Sequence, residues 1–371
     1  MSRNIKKIII IFITTVSLNF YGCNIENKLS KNNSEINTTM TNDINKENKE
    51  YSIDIKYSEK NNSIYLWDYM NNKVKKEIKL ENLEFSKEVF KIDNGYAAII
   101  YKGETLPEVK SFQDTYSIKY PDKIESVMVR VYDKNLKSIR EYDITKIVQE
   151  VNLDFINQTI ISKNAKFLVY DKLGEKIFVD LENGKGNKIA LNNISAISFL
   201  TNDKLIFSSI IDEGNKINTL CGIIDNKGNI EKEFKIENYL GEKIQVVNNY
   251  AILNDYVEAR TQKSSGKIPI IDIKNKELKS LNVDNEESTQ STITRDGRYI
   301  VTVKTGNKGE FTIKQYSRES GKLLKEKDYK VSENDAKLNR IVETGKSGEI
   351  ASIFLVGNEE YKVEIFSCKD E

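Results

Sequence analysis

A hairpin pattern recurs along this chain, and it restricts the possible folds more than any other feature. In each copy an apolar strand ends near Asp or Tyr, a turn of Asn, Lys or Gly follows, and a charged amphipathic strand completes the pair. The six complete copies lie at 65–80, 129–144, 177–191, 222–236, 269–283 and 313–329, and a seventh begins at 361–368. They start 64, 48, 45, 47 and 44 residues apart.

A repeat of about 40–50 residues is typical of propeller blades, each of which is a four-stranded sheet. The pattern therefore predicts an all-β chain folded as a β-propeller over residues 51–371, with seven blades and six as the alternative. A pair of β-sandwiches is the competing fold. Only three strands are evident in the first blade, which lacks its innermost strand, and only three in the last. We expect strands from both chain ends to pair and close the ring, because open sheet edges are otherwise exposed.

The strands that precede the hairpins also repeat, at 161–171, 199–209 and 293–303. The last copy has the turn Asp296-Gly297 followed by an apolar strand that includes Tyr299. This copy resembles the WD40-like repeat of TolB-type propellers. The resemblance covers about 320 residues and implies an architecture, together with an accessory role in envelope assembly by analogy of fold alone.

The N-terminus has the order of a secretory signal peptide. A short basic segment precedes an apolar run from Ile8 to Phe20, which is too short to span a membrane. Gly22-Cys23 follows and resembles the lipobox of bacterial lipoproteins, in which the cysteine is lipidated. We therefore expect residues 1–22 to be a lipoprotein signal peptide and Cys23 to carry a lipid anchor on the extracytoplasmic face of the cell membrane. The alternative is a plain secretory signal with a chance cysteine.

Residues 23–50 are rich in Asn and contain no aromatic residue. Such a segment cannot bury enough apolar surface to offset its ordering entropy. The sequence predicts a disordered tether that holds residues 51–371 away from the membrane.

Charge and composition exclude several functions. The full chain has 57 Lys+Arg and 56 Asp+Glu, and removing residues 1–22 with their three basic residues leaves 54 against 56. No basic surface for nucleic acid is expected. The chain has no histidine, which excludes Ser-His-Asp and Cys-His catalysis and imidazole metal sites. We assign no catalytic residue, metal or cofactor.

The two remaining cysteines, Cys221 and Cys368, fall several repeats apart in a propeller. A disulfide needs Cα atoms within about 7 Å of each other. We predict no disulfide between them, and the competing interpretation is a bridge formed on export.

The largest departure from the repeat is the segment 103–126 in the second blade, which contains two of the three prolines. Phe112, Tyr116 and Tyr120 lie in it, and tyrosines between prolines suit a binding loop of low entropy. We expect these three residues to contact a ligand or partner. Alternatively, the aromatic side chains pack down on the blade. The segment 254–267 is a weaker candidate, better interpreted as a long hairpin loop.

Two other features have simpler explanations. Trp67 lies in an alternating strand, where we expect core or inter-blade packing rather than a platform for sugars. The turns at Asp180 and Asp225 lack the spacing of a calcium loop and are interpreted as hairpin turns.

These features favour a cell-surface lipoprotein whose propeller is a non-catalytic binding or scaffolding module for a protein, a peptide or an envelope glycan. The alternative is a lyase or glycosidase that uses carboxylates or tyrosines at the mouth of the propeller channel. Whether the chain is an enzyme is left open.

Overall fold

The computed structural model describes residues 50–112, 115–148, 153, 159–172, 175–189, 191, 194–214, 217–241, 243–254, 257–258, 263–264, 266–283, 289–305, 309–331, 336–356 and 360–368. The predicted signal peptide, Cys23 and nearly all of the predicted tether lie outside these residues. The helices of the described part are a short 3-10 turn at Glu50–Ser52 and α1 at Thr145–Val148. Neither has the length or the apolar surface to cross a membrane.

Seven antiparallel sheets follow one another along the chain, each made of consecutive strands, and they form a seven-bladed β-propeller. Blade 1 consists of β1 (Ile53–Ser58), β2 (Ser63–Asp68) and β3 (Lys73–Lys79). Blade 2 consists of β4 (Glu84–Ile92), β5 (Gly95–Gly103), β8 (Ile124–Tyr132) and β9 (Ser138–Asp143), with an inserted hairpin of β6 (Glu108–Phe112) and β7 (Thr115–Lys119). Blade 3 consists of β10 (Ile160–Ile161), β11 (Phe167–Lys172), β12 (Glu175–Asp180) and β13 (Lys185–Lys188).

Blades 4 to 7 complete the ring. They are blade 4, with β14 (Ile194–Phe199), β15 (Lys204–Asp212), β16 (Ile217–Asp225) and β17 (Ile230–Ile236); blade 5, with β18 (Lys243–Val247), β19 (Tyr250–Asn254), an inserted hairpin of β20 (Val257–Glu258) and β21 (Lys263–Ser264), β22 (Lys267–Asp272) and β23 (Glu277–Asn282); blade 6, with β24 (Thr289–Ile293), β25 (Tyr299–Thr305), β26 (Glu310–Ser317) and β27 (Leu323–Lys330); and blade 7, with β28 (Lys337–Glu343), β29 (Glu349–Val356) and β30 (Glu360–Ser367). The predictions of a propeller and of seven blades are confirmed.

The apolar core lies between the blades. Second strands such as β5 and β29 are mostly buried, whereas fourth strands such as β9 and β13 are almost wholly exposed. Side chains of adjacent blades pack together, and the cluster between blades 2 and 3 includes Phe85, Ile99 and Tyr170. First strands of neighbouring blades touch each other, which places them around the propeller axis.

Hydrogen bonds that recur in several blades show which strands the two terminal blades contain. In a complete blade, the residue after the fourth strand donates its N–H to a carbonyl at the start of the third, as in the pairs Ile144–Val127, Val283–Gly266 and Val331–Gly309. Leu80 donates to Asn62 in the same way, at 3.1 Å, so β2 and β3 are a third and a fourth strand. Blade 1 therefore lacks the first strand within the described residues, as the sequence predicted.

Blade 7 lacks the fourth strand among the described residues. In the turn between its first two strands, the N–H of Thr344 donates to the carbonyl of Glu349. In blade 6, the N–H of Thr294 donates to the carbonyl of Tyr299 in the turn between the first and second strands. The strands β28, β29 and β30 are therefore the first, second and third. Blade 7 has no fourth strand in the part of the chain that the structure describes.

The ring closes differently from the sequence prediction. Within the described residues no sheet contains strands from both chain ends, so the predicted strand pairing is wrong there. Aromatic side chains join the two blades instead. Trp67 and Tyr69 of blade 1 pack against Ile353 and Tyr361 of blade 7, and all four are at most 7 % exposed. The rings of Tyr69 and Tyr361 meet edge to face, with centroids 4.7 Å apart.

Polar contacts reinforce this seam between blades 7 and 1. The ammonium of Lys56 lies 5.4 Å from the ring centroid of Trp67 and 4.7 Å from that of Tyr361. Arg340 of blade 7 forms an ion pair with Asp54 of blade 1, with 2.7 Å between Nη1 and Oδ2. These contacts combine cation–π attraction with a partly desolvated charge pair.

The Asn72 side chain binds the backbone of the last strand. Its Nδ2 donates to the carbonyl of Tyr361 at 2.8 Å, and its Oδ1 accepts the N–H of Tyr361 at 2.7 Å. An amide side chain thus takes the two hydrogen bonds that a neighbouring strand otherwise makes.

Replacing Asn72 with Gly tests this contact without disturbing the turn, because Asn72 has a positive φ of 47° that glycine accepts. We expect the free energy of unfolding to fall by about 1–3 kcal/mol, since two backbone groups lose their partner. Lys276 occupies the equivalent turn of blade 5 with φ 52°. Lys276→Gly is the matched control and should change stability by less than about 1 kcal/mol, because it relieves a positive φ and loses only a surface ion pair with Glu231. Equal effects of the two variants in urea denaturation would contradict the assignment.

Candidate functional site

Two hairpins interrupt the sevenfold repeat, and both leave the same face of the propeller. The pair β6–β7 joins the second and third strands of blade 2, and β20–β21 joins the second and third strands of blade 5. Because strands alternate in direction within every blade, all connections of this type lie at one edge of the ring. The structure confirms the interpretation of the segment 254–267 as a long hairpin.

The structure places the three predicted contact residues in two different settings. Phe112 pairs with Thr115 and Ser111 pairs with Tyr116, so the backbones of Phe112 and Tyr116 flank the tip of the hairpin. The side chains of these two residues are outside the described part of the chain. Whether they contact a partner stays a prediction.

Tyr120 lies at the base of the same hairpin. It is half-buried, and its ring stacks on Phe85 with the centroids 6.0 Å apart and an angle of 27°. The ammonium of Lys87 is 5.5 Å from the Tyr120 ring centroid. A Cβ atom on Gly103 would lie 2.8 Å from the ring of Pro121, so this proline packs directly on the blade. The base of the hairpin is therefore fixed to blade 2 at two points.

Beneath Tyr120 lies a polar network that the sequence did not indicate. Phe85 stacks on Tyr101 at 5.7 Å, and the Tyr101 hydroxyl donates to Oε2 of Glu88 at 2.7 Å. The hydroxyls of Tyr101 and Tyr170 are 3.5 Å apart. Glu88 follows a bulge in β4, where Lys87 has no partner in the register, and the extra residue turns Glu88 towards blade 3.

Burial raises the pKa of the Glu88 carboxyl above its ordinary value, although the hydrogen bond from Tyr101 opposes the shift. Burial also raises the pKa of Tyr101 well above the usual tyrosine value. Shifted carboxyls occur both in catalytic sites and in structural networks. Here Tyr101 and Tyr170 are both 0 % exposed, so their hydroxyls serve each other and Glu88 rather than a substrate.

A groove of about 400 Å³ lies between blades 5 and 6. The guanidinium of Arg318 lies in it, 4.5 Å from the ring centroid of Tyr250, and its Nε donates to the carbonyl of Gly297 at 2.5 Å. The charged residues that line the groove are Asp272, Lys279, Arg318 and Glu319. Two acidic and two basic side chains balance, so charge does not select a ligand class.

The other residues singled out in the sequence have structural roles. Trp67 lies in the seam between blades 7 and 1, which confirms inter-blade packing. The carboxylates of Asp180 and Asp225 accept hydrogen bonds from the backbone N–H and side-chain amide of Asn183 and Asn229. These are hairpin turns, and no group of three metal-ligating side chains occurs among the described residues.

The two cysteines belong to distant blades. Cys221 is buried in the core of blades 4 and 5, and Cys368 follows β30 in blade 7. Burial raises the pKa of each thiol to about 12. Neither thiol is therefore a reactive nucleophile at neutral pH.

Comparisons with known proteins name no family. No protein-family model and no curated protein matches the chain. The β-propeller domain of the Trilobed protease from Pyrococcus furiosus is similar at 12 % identity, with 78 % of this chain and 83 % of that one covered and a TM-score of 0.46. A functionally unknown protein from Desulfotomaculum acetoxidans has 12 % identity, coverage of 86 % and 100 %, and a TM-score of 0.46.

A eukaryotic initiation factor structure is also similar, at 12 % identity and a TM-score of 0.44 over 76 % of this chain. The chain spans 63 % of the length of that protein. At these identities and TM-scores the similarities carry no argument about the function of this chain.

The Glu88 network predicts a pH dependence of stability. Because the folded pKa of Glu88 lies above its unfolded value, its contribution is full below the unfolded pKa and is lost as pH rises through the folded pKa. Glu88→Gln keeps a neutral hydrogen-bonding group at every pH. We expect the variant to gain stability relative to the parent as pH rises from 4 to 8, by at most about 1.4 kcal/mol per pH unit.

Urea denaturation at several pH values measures this difference. Glu125 is an exposed carboxyl paired with Lys102 on the surface, and Glu125→Gln is the control that should give a flat difference. A flat difference for Glu88→Gln as well would show that Glu88 is ionised as easily in the folded chain as in the unfolded one.

Proposed function

We propose that the chain is a lipid-anchored extracytoplasmic lipoprotein and that its propeller is a non-catalytic module that binds a partner protein of the cell envelope. The β6–β7 hairpin carries this proposal. Its base is fixed to blade 2 through Tyr120 and Pro121, and the backbones of Phe112 and Tyr116 lie at its tip. A rigid base and an aromatic tip reduce the entropy that a loop loses on binding.

Loop contacts on a rigid scaffold are how propellers and similar folds bind partners. Aromatic residues such as Tyr and Phe provide much of the binding energy in protein interfaces. The second hairpin, β20–β21, leaves the same face from blade 5 and extends the surface available there. The tyrosine hydroxyls that contact Glu88 are buried, which supports a structural role for this network over the alternative of a lyase or glycosidase.

Shortening the hairpin tests the binding role. Replacing residues 106–119 with a short Gly-Ser turn removes β6 and β7 but keeps Tyr120 on Phe85 and Pro121 on Gly103. We expect the variant to unfold within about 1 kcal/mol of the parent, because residues 106–110 and 117–119 are exposed or only half-buried. Crosslinking in the native envelope, followed by mass spectrometry, should recover a partner with the parent and lose it with the variant.

The matched control replaces the β20–β21 hairpin, residues 257–264, in the same way. It should keep most of the partner. Equal recovery by all three proteins would show that β6–β7 does not bind. If the parent itself recovers no protein, the proposal fails, and a glycan or small molecule becomes the better hypothesis.

The anchor is tested separately. Cys23→Ala removes the thiol that the lipid requires, so we expect the protein to move from the membrane fraction to the soluble extracytoplasmic fraction. Cys368→Ala is the control and should stay with the membrane. A Cys23→Ala protein that sediments with membranes would show that the N-terminus is not a lipidation site.

A further inference from the structure

The outer edge of β30 presents backbone groups that the described residues leave unpaired. The N–H and carbonyl of Tyr361 both bond to the Asn72 side chain, which shows that they point away from β29. Pairing of β29 with β30 runs without a register shift, so Val363 and Ile365 point their backbone groups in the same direction. No strand pairs with that edge within the part of the chain described, and no described residue hydrogen-bonds to the backbone groups of Val363 or Ile365 that face it.

Both ends of this edge are occupied. Asn72 holds Tyr361, and the ammonium of Lys325 donates to the carbonyl of Ser367 at 2.9 Å. The open stretch is therefore centred on residues 363–365. It has room for a short extended segment.

Apolar side chains border the open stretch on the side of blade 1. Val363 is half-buried, while Ile365 is 36 % exposed on the same face of β30. Val74 of β3 is also 36 % exposed, and it pairs with Trp67, which faces blade 7. The surface continues the aromatic seam, so a segment paired with β30 would bury these side chains.

On the other face of β30, Glu364 carries a negative charge at a position whose equivalent in blade 6 forms an ion pair with the fourth strand. The N–H of Cys368 bonds to the carbonyl of Gly348, and that of Arg318 bonds to the carbonyl of Arg298 in blade 6. Cys368 and Arg318 are therefore equivalent positions, and the residues four positions before them, Glu364 and Lys314, are equivalent too. In blade 6 Lys314 faces Glu326 on the fourth strand, 3.7 Å away. Glu364 has no ion pair among the described residues.

A second copy of this chain fits the edge poorly. Because Asn72 and Lys325 block the two ends, an antiparallel pair of β30 strands must align with Glu364 directly opposite Glu364 of the other copy. Like charges directly opposite each other destabilise a strand pair. The charge pattern favours a different polypeptide with a basic residue at this place.

We propose that the outer edge of blade 7 is a site of β-strand addition for an extended segment of a partner polypeptide. The segment places a basic residue opposite Glu364 and apolar neighbours against Val363, Ile365 and Val74. Backbone hydrogen bonds provide the affinity and these side chains the specificity. The site is separate from the β6–β7 hairpin, so either proposal can fail without the other.

The test uses a five-residue capped peptide as the probe, short enough to fit between Asn72 and Lys325. It has the sequence of residues 231–235 in β17, with Lys232→Val so that apolar residues flank the central position. In blade 4 this strand pairs with the third strand β16, where Glu233 lies opposite Gly222 and Phe234 lies opposite Cys221. One peptide keeps Glu at the position of Glu233, and its partner carries Glu233→Lys. Fluorescence polarisation measures the binding of both to the full mature chain.

We expect the Lys peptide to bind about twofold to fivefold more tightly than the Glu peptide, the range for one cross-strand charge pair. Glu364→Lys should reverse this preference. Glu277→Lys on the exposed β23 is the matched control and should leave it unchanged. Ile365→Pro removes an outward N–H without breaking the β29–β30 ladder and should abolish binding.

Several results would overturn the proposal. They are a failure of the parent to bind either peptide, an unchanged preference in Glu364→Lys, and full binding by Ile365→Pro with a native circular dichroism spectrum. Dimerisation of the parent that Ile365→Pro abolishes would identify a second copy as the occupant instead. Binding only to a version that begins at Glu50 would mean that the edge is already covered in the full chain.

Discussion

The interface between blades 7 and 1 is the contact on which the rest of the propeller depends. A ring of seven sheets has seven interfaces, and six of them join neighbours in sequence, whereas this one joins residues almost 300 positions apart. Trp67, Tyr69 and Tyr361 form it, with Lys56 over their rings. In the described part of the chain the seam joins the two blades by aromatic packing and not by a shared sheet, so its apolar area and its cation–π contacts must offset the entropy of closing the ring.

Closure by side chains has a consequence for the edges. Where strands from both ends share a sheet, no edge is left open at the seam. Among the described residues blade 7 ends on its third strand, and Asn72 and Lys325 cover only the two ends of that strand. The open edge and the aromatic seam are thus two results of one arrangement, and both differ from the six regular interfaces.

The buried polar network between blades 2 and 3 serves the fold in another way. A hydrogen-bonded carboxyl among tyrosines is costly to misplace, so it favours one arrangement of the two blades. Tyr120 covers this network through Phe85, which connects the base of the β6–β7 hairpin to the core. The hairpin can therefore differ from the repeat at its tip while its base is held as firmly as a blade strand.

The amino-acid sequence by itself determined the all-β architecture, favoured seven blades over six, and indicated three strands in each terminal blade. These depend on local turns and alternation, and the Asp–Asn turns that repeat every 40–50 residues define them without long-range information. It also indicated the insertion at 103–126. Only the tertiary structure decided that Tyr120 packs on Phe85, that Glu88 meets Tyr101 and Tyr170, and that Asn72 holds Tyr361, because each contact joins segments whose separation in sequence carries no periodic pattern.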